Sequence, residues 1–120
     1  MGDAPAVLYD GPSREARKIL LVSPGSPVEV LSSIEGWVKI REHGGKLAWA
    51  ESSALVNVRT LVVTAPKALA RESAAETAAP VFEAQRGLIV QFVEAAGLWV
   101  KVRHRDGATG FVRTSEVWGL

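Results

Sequence analysis

Apolar positions along this chain come in short runs that alternate with polar ones and stop at glycine or proline, a strand pattern rather than a helical one. It predicts strands near Lys18–Val22, Val28–Ser33, Gly36–Arg41 and Leu47–Glu51. A second set follows near Val81–Ala84, Leu88–Ala95, Leu98–Arg103 and Ala108–Arg113. The turns Glu42-His43-Gly44-Gly45-Lys46 and Arg105-Asp106-Gly107 would close one hairpin in each set, because glycine reaches positive φ at little cost. Short 3₁₀ turns are expected at Ser52–Ala54 and Thr114–Glu116. Leu55–Thr64, rich in valine and leucine, would end the first half and cross directly into the second. Ala65–Ala79 is expected as a long loop with at most one helical turn. Its alanines favour helix, but it lies in register with Asp3–Arg17, where Gly11-Pro12 breaks one. A single helix there is the alternative.

The two sets are one unit written twice. Trp37-Val38-Lys39-Ile40-Arg41 returns as Trp99-Val100-Lys101-Val102-Arg103, an offset of 62 residues (99 − 37 = 62). The register then holds without a gap: Gly25 falls on Gly87, Val28 on Val90, Gly45 on Gly107 and Trp49 on Phe111. Self-similarity at a fixed period sets the architecture ahead of any local signal. A unit of about 60 residues can just fold alone. The expectation is an all-β chain of two tandem small β-barrels, residues 1–60 and 61–120.

Strand alternation then assigns faces. Val38 and Ile40 point inward, as do Val100 and Val102, and Lys39 and Lys101 point to solvent. Trp37, Lys39 and Arg41 share the outer surface of the first unit. Trp99, Lys101 and Arg103 do so in the second. A tryptophan placed outside twice is either a ligand contact or a ring half-buried against the long loop, and the two roles are compatible.

Composition narrows the chemistry. With 48% hydrophobic and 22% charged residues and a net charge of +1, the 120-residue chain has a globular balance. It lacks the basic field of a dedicated nucleic-acid binder. Without cysteine there is no disulfide or thiolate chemistry. No apolar run approaches the roughly 20 residues of a membrane span, and Met1–Pro5 carries no signal-peptide pattern. His43 and His104 fall at or beside the hairpin turns, where solvated histidines are ordinary. No nucleophile elbow, carboxylate pair, metal spacing or phosphate loop stands out. The chain is expected to be neither an enzyme nor a cofactor or metal protein.

These residues resemble the bacterial SH3-like (SH3b) family. In the first unit the matching pattern is Leu8-Tyr9-Asp10-Gly11-Pro12-Ser13, Gly25-Ser26-Pro27-Val28-Glu29-Val30-Leu31, Gly36–Arg41, Gly45, Ala48-Trp49-Ala50 and Leu55. The second unit matches through Gly87–Val93, Trp99–Arg103, Asp106-Gly107 and Gly110-Phe111-Val112. Its ending, Glu116-Val117-Trp118-Gly119, is similar to tandem SH3b proteins of Gram-negative bacteria. The resemblance implies two SH3-like barrels of about five strands each, non-catalytic, placed in the cell envelope to bind peptidoglycan or proteins. Two departures stand out. Ala48 replaces a usual glycine, and Arg71-Glu72-Ser73 replaces the Tyr9-Asp10-Gly11 turn. The start Ala6-Val7-Leu8-Tyr9-Asp10 also resembles eukaryotic SH3 domains, but the second aromatic after Trp37, the acidic loop and the proline–tyrosine pair of a polyproline groove are missing.

The functional expectation is a binding module, periplasmic or exported, that recognises a peptidoglycan stem peptide or a partner protein segment. Its ligand residues would be Tyr9, Trp37, Lys39, Arg41 and Trp49, with Trp99, Lys101, Arg103 and Phe111 in the second unit. Aromatic faces give contact area at low entropic cost, and cations meet carboxylates. The first unit, which keeps Tyr9, is expected to hold most of the affinity. The alternatives are a structural pair using its outer aromatics as an interface, and single-strand nucleic-acid stacking. The neutral charge opposes the latter. A monomer without membrane span or nucleic-acid partner is expected.

Overall fold

The computed structural model describes Gly2, Ala4–Val56 and Val58–Leu120. Met1 and Asp3, and Asn57 in the expected Leu55–Thr64 crossing, lie outside the described residues. The chain divides into two compact units, Met1–Val58 and Arg59–Leu120.

The first unit contains β1 (Ala6–Tyr9), β2 (Lys18–Val22), β3 (Glu29–Ile34), β4 (Trp37–Arg41) and β5 (Leu47–Glu51), followed by a 3₁₀ turn at Ser52–Ala54. They form one sheet in the order β2-β1-β5-β4-β3. The second contains β6 (Thr60–Val63), β7 (Lys67–Arg71), β8 (Pro80–Gln85), β9 (Ile89–Ala96), β10 (Trp99–Arg103), β11 (Thr109–Arg113) and β12 (Val117–Trp118), with a 3₁₀ turn at Thr114–Glu116. Their order is β12-β6-β9-β10-β11-β7-β8. All pairs are antiparallel.

Both sheets keep two edges, so hydrogen bonding does not close either into a full barrel. They bend instead. The ladder slips between Leu8 and Tyr9 and again at the equivalent Ala70 and Arg71. It also skips Leu31 opposite β4 and Val93 opposite β10. Each bulge adds one residue to its strand and sharpens the local twist, which lets a small sheet curl over its own apolar face.

That face carries Leu8, Val38, Ile40, Ala48 and Ala50 in the first unit. Leu61, Val90, Val100, Val102 and Val112 are among those of the second. Val38, Ile40, Val100 and Val102 are therefore core, as alternation requires. Lys39 and Lys101 are half-buried rather than exposed. Each lysine stands opposite a large ring across the strand pair, Trp49 or Phe111, and a long apolar stem beside such a ring is commonly part-covered.

Four strands were not expected, the shortest being β12 (Val117–Trp118), which pairs with β6. β1 and β7 occupy what read as long loops, because the alternation Lys67-Ala68-Leu69-Ala70-Arg71 buries both alanines and turns the other three outward. Burial against neighbouring strands overrides alanine's helical preference. The remaining one, β6, is no mere crossing. Leu61, Val62 and Val63 are buried, and the strand pairs with both β9 and β12.

Candidate functional site

On β4 the outward residues are Trp37, Lys39 and Arg41. Lys39 stands opposite Trp49 on β5, and Trp49 stands opposite Tyr9 on β1, so the three form one row across three strands. The second unit repeats the row as Lys101, Phe111 and Arg71. There the Lys101 ammonium lies 5.9 Å from the Phe111 ring centre, within reach of the ring's negative face.

The structure thus brings Tyr9, Trp37, Lys39 and Trp49 together on one face, and Lys101 with Phe111 on another. Tyr9 is only 8% exposed. Its ring meets Trp37 edge-on, with centroids 5.4 Å apart at 85°, a favourable quadrupole geometry. Tyr9 therefore supports Trp37 and offers little surface of its own, whereas Trp37 and Trp49 are half-buried and keep one side open. Arg41 sits apart from this group, paired across β3 and β4 with Glu29 at 2.9 Å. Arg103 is exposed at the far end of its strand, opposite Thr109.

Trp99 has different company from Trp37. Its neighbour across the pair is Arg113, whose guanidinium carbon lies 5.0 Å from the indole centre. Beside them opens a cleft of about 460 Å³. It is lined by Lys67, Leu69, Arg71, Glu76, Trp99, Arg113 and Glu116. Arg113 pairs with Glu76, and the Arg113 backbone N–H donates to Glu116 Oε1 at 2.9 Å. Arg71 Nη1 donates to the Ala78 carbonyl at 2.9 Å. Of these residues only Trp99 was expected as a ligand contact; Arg71 was noted as a departure from the first unit's Tyr9 turn, and the others were not singled out for a site. A signal was nonetheless present: subtracting the repeat offset maps Glu76 onto Arg14 and Arg113 onto Glu51, a pair of opposite charges in reversed order.

The hairpin tips are structural. Glu42 accepts the Lys46 N–H at 2.9 Å, and its repeat equivalent His104 accepts the Asp106 N–H through Nδ1 at 3.1 Å. His104 is half-buried, not solvated, because its ring packs edge-on against Phe82 with centroids 5.3 Å apart. His43 is exposed. Among the described residues, no cluster of three or more His, Asp or Glu side chains could hold a metal ion, and no helix is long and apolar enough to cross a membrane.

Comparison with known proteins places this geometry. The Bacterial SH3 domain family matches residues 2–57 and again residues 64–119. No curated protein matches the chain. Among solved structures, NlpC2 from Trichomonas vaginalis is 13% identical at a TM-score of 0.44, over 95% of this chain and 43% of that one. NlpC1 from Trichomonas vaginalis is 14% identical at 0.43, over 93% and 41%. The chain spans less than half the length of either. With nearly its whole length matched in two consecutive copies, this all-β chain belongs to the bacterial SH3 domain family.

Proposed function

We propose that the tandem pair is a non-catalytic binding module of the bacterial cell envelope, periplasmic or exported, whose ligand is a peptidoglycan stem peptide or a peptide segment of an envelope protein. The observation that carries this reading is the outer row of cation and aromatic rings, Lys39-Trp49 with Trp37 beside it, repeated as Lys101-Phe111 with Trp99. Half-buried rings flanked by lysine suit a peptide that brings apolar side chains and carboxylates. Membership in the bacterial SH3 domain family supports an envelope setting. Arg41 and Arg103 would extend the cationic edge, and Tyr9 would hold Trp37 in place from behind. The test is retention of the purified chain on isolated sacculi. Replacing Trp37 and Trp99 together by alanine should abolish retention while urea unfolding stays cooperative; unchanged retention would refute the surface.

A second reading, assembly with a protein partner, is favoured by β3. All its residues are exposed, and Val30 (55%), Leu31 (38%) and Ile34 (51%) among them are apolar. An apolar edge strand is a template for another strand. In the second unit β6 lies against the equivalent edge, with Leu61 opposite Val90, and Phe92, the counterpart of Val30, is half-buried under Arg59. Concentration-dependent sedimentation abolished by Ile34→Lys would favour this reading over the first.

A further inference from the structure

We propose that the cleft beside Trp99 receives the free carboxylate of a short peptide, with Arg71 and Lys67 as its cationic partners and Leu69 and Trp99 as its apolar lining. This rests on reading the chain as a peptide-binding module and assigns its second unit a distinct task.

The cleft arises from one difference between the units. Where the first places Tyr9, whose ring closes against Trp37, the second places Arg71. The arginine leaves the side of Trp99 open, and the space of about 460 Å³ lies in the range of small-ligand sites. On β7, alternation turns Lys67, Leu69 and Arg71 to this same face while Ala68 and Ala70 fill the core. An apolar spot is thus bracketed by two cations along one strand.

The charges are not equally committed. Arg113 is held three ways: by Glu76, by the indole beneath it and, through its backbone N–H, by Glu116. Arg71 uses Nη1 on the Ala78 carbonyl, which fixes the guanidinium and leaves its remaining donors for a ligand. Lys67 contacts Glu83 at 3.3 Å in an exposed pair, the kind that exchanges partners at little cost. Lys67, Arg71 and Arg113 against Glu76 and Glu116 leave the lining one positive charge in excess. The equivalent positions of the first unit, Pro5, Tyr9 and Glu51 with Arg14 and Ala54, are balanced. A carboxylate meets a planar, pre-oriented guanidinium well, because the fork matches its two oxygens. The last side chain of the peptide would then lie on Leu69 and Trp99.

The test titrates the full chain with N-acetyl-Ala-Ala-Ala as free acid and, in parallel, as amide, following the Trp37 and Trp99 indole N–H signals by NMR. The acid should shift Trp99 and leave Trp37 unmoved. The amide should bind about tenfold or more weakly, the loss expected when a charge-assisted hydrogen bond is removed. Arg71→Tyr, which restores the residue type of the first unit, should abolish the Trp99 response, and Lys67→Gln, at an exposed position, should weaken it. Equal binding of acid and amide, a response at Trp37 instead of Trp99, or no response to the acid overturns the proposal. Should Arg71→Tyr fail to fold, the acid–amide comparison and Lys67→Gln still decide. Sacculus retention is read separately: retention that survives a null acid–amide result sinks this inference alone. Lost retention on Trp substitution together with an acid-specific Trp99 shift supports both.

Discussion

Arg14 and Glu51 form an ion pair, Nε and Nη2 both 2.7 Å from Oε1, and the second unit repeats it with the charges exchanged as Glu76 and Arg113. In both units it ties the loop after the first strand of the repeat to the end of the strand beside the tryptophan. Attraction between opposite charges has no preferred direction, so the polarity is free to invert as long as the two ends differ in sign. The hydrogen bond that Arg14 donates to Glu51, and then the Glu51 charge, raise the Arg14 guanidinium further above its ordinary value.

Reversal of this pair is testable by exchange. Arg14→Glu should lower the urea midpoint of the first unit and broaden the Trp37 signals. Adding Glu51→Arg should bring both back. The tether is dispensable if the single and double variants behave alike.

Core and surface positions on β4 should separate sharply. Ile40 is fully buried, so Ile40→Ala should cost about 2–5 kcal/mol through lost burial and a cavity. Lys39→Ala removes only a stem beside Trp49 and should cost about 0.2–1 kcal/mol, the range of one cross-strand pair. The reverse ranking in urea denaturation would mean that the strand faces are misassigned.

Gly110 is a close approach between β11 and β7. A Cβ there would lie 2.7 Å from Ala70 Cβ and 3.1 Å from its carbonyl carbon. Reduced chain entropy alone would make Gly110→Ala stabilising by about 0.4–1 kcal/mol. The clash is with the Ala70 Cβ and the adjoining backbone, neither of which can rotate away, so overpacking should win and destabilise by about 1–3 kcal/mol. Thermal unfolding of the variant checks the sign.

Glu42 should make stability pH-dependent. Burial alone would raise its pKa, but N–H donation from Lys46 and Gly44, followed by the charges of His43 and Lys46, outweighs it and holds the carboxyl below its ordinary 4.5. A depressed folded-state pKa adds stability that is present above 4.5 and is lost as pH falls through the folded value. The advantage of the native chain over Glu42→Gln in urea midpoint should therefore shrink as the solution is acidified below that value. An advantage that stays constant across the acid range would rule out this carboxylate as the source.

The two tryptophans should not be equivalent. Trp37 is backed by Tyr9, whereas Trp99 is stacked by Arg113 and borders an open cleft. On sequence the first unit was expected to dominate affinity, since it keeps three aromatics together. Trp37→Ala and Trp99→Ala, compared separately in sacculus retention, weigh that expectation against the cleft: a larger loss at Trp37 keeps it, and a larger loss at Trp99 reverses it.

What the sequence determined by itself was whatever depends on near neighbours. The limits of Lys18–Val22 and Leu47–Glu51 and both 3₁₀ turns follow from alternation and punctuation, and the inward Val38, Ile40, Val100 and Val102 follow from a period of two. The repeat carried the same reading to the second unit. Tertiary structure decided the rest. Ala68 and Ala70 become strand because β8 and β11 surround them, a burial that no local propensity encodes. Likewise β6 earns its place only through β9 and β12, which are distant in sequence. At the site, the aromatic residues were legible one by one, but not that Tyr9 would be spent on supporting Trp37. The cleft beside Trp99 was hidden for the same reason: it is made by an arginine, a leucine and an ion pair drawn from three separate segments, and only their packing leaves the space between them.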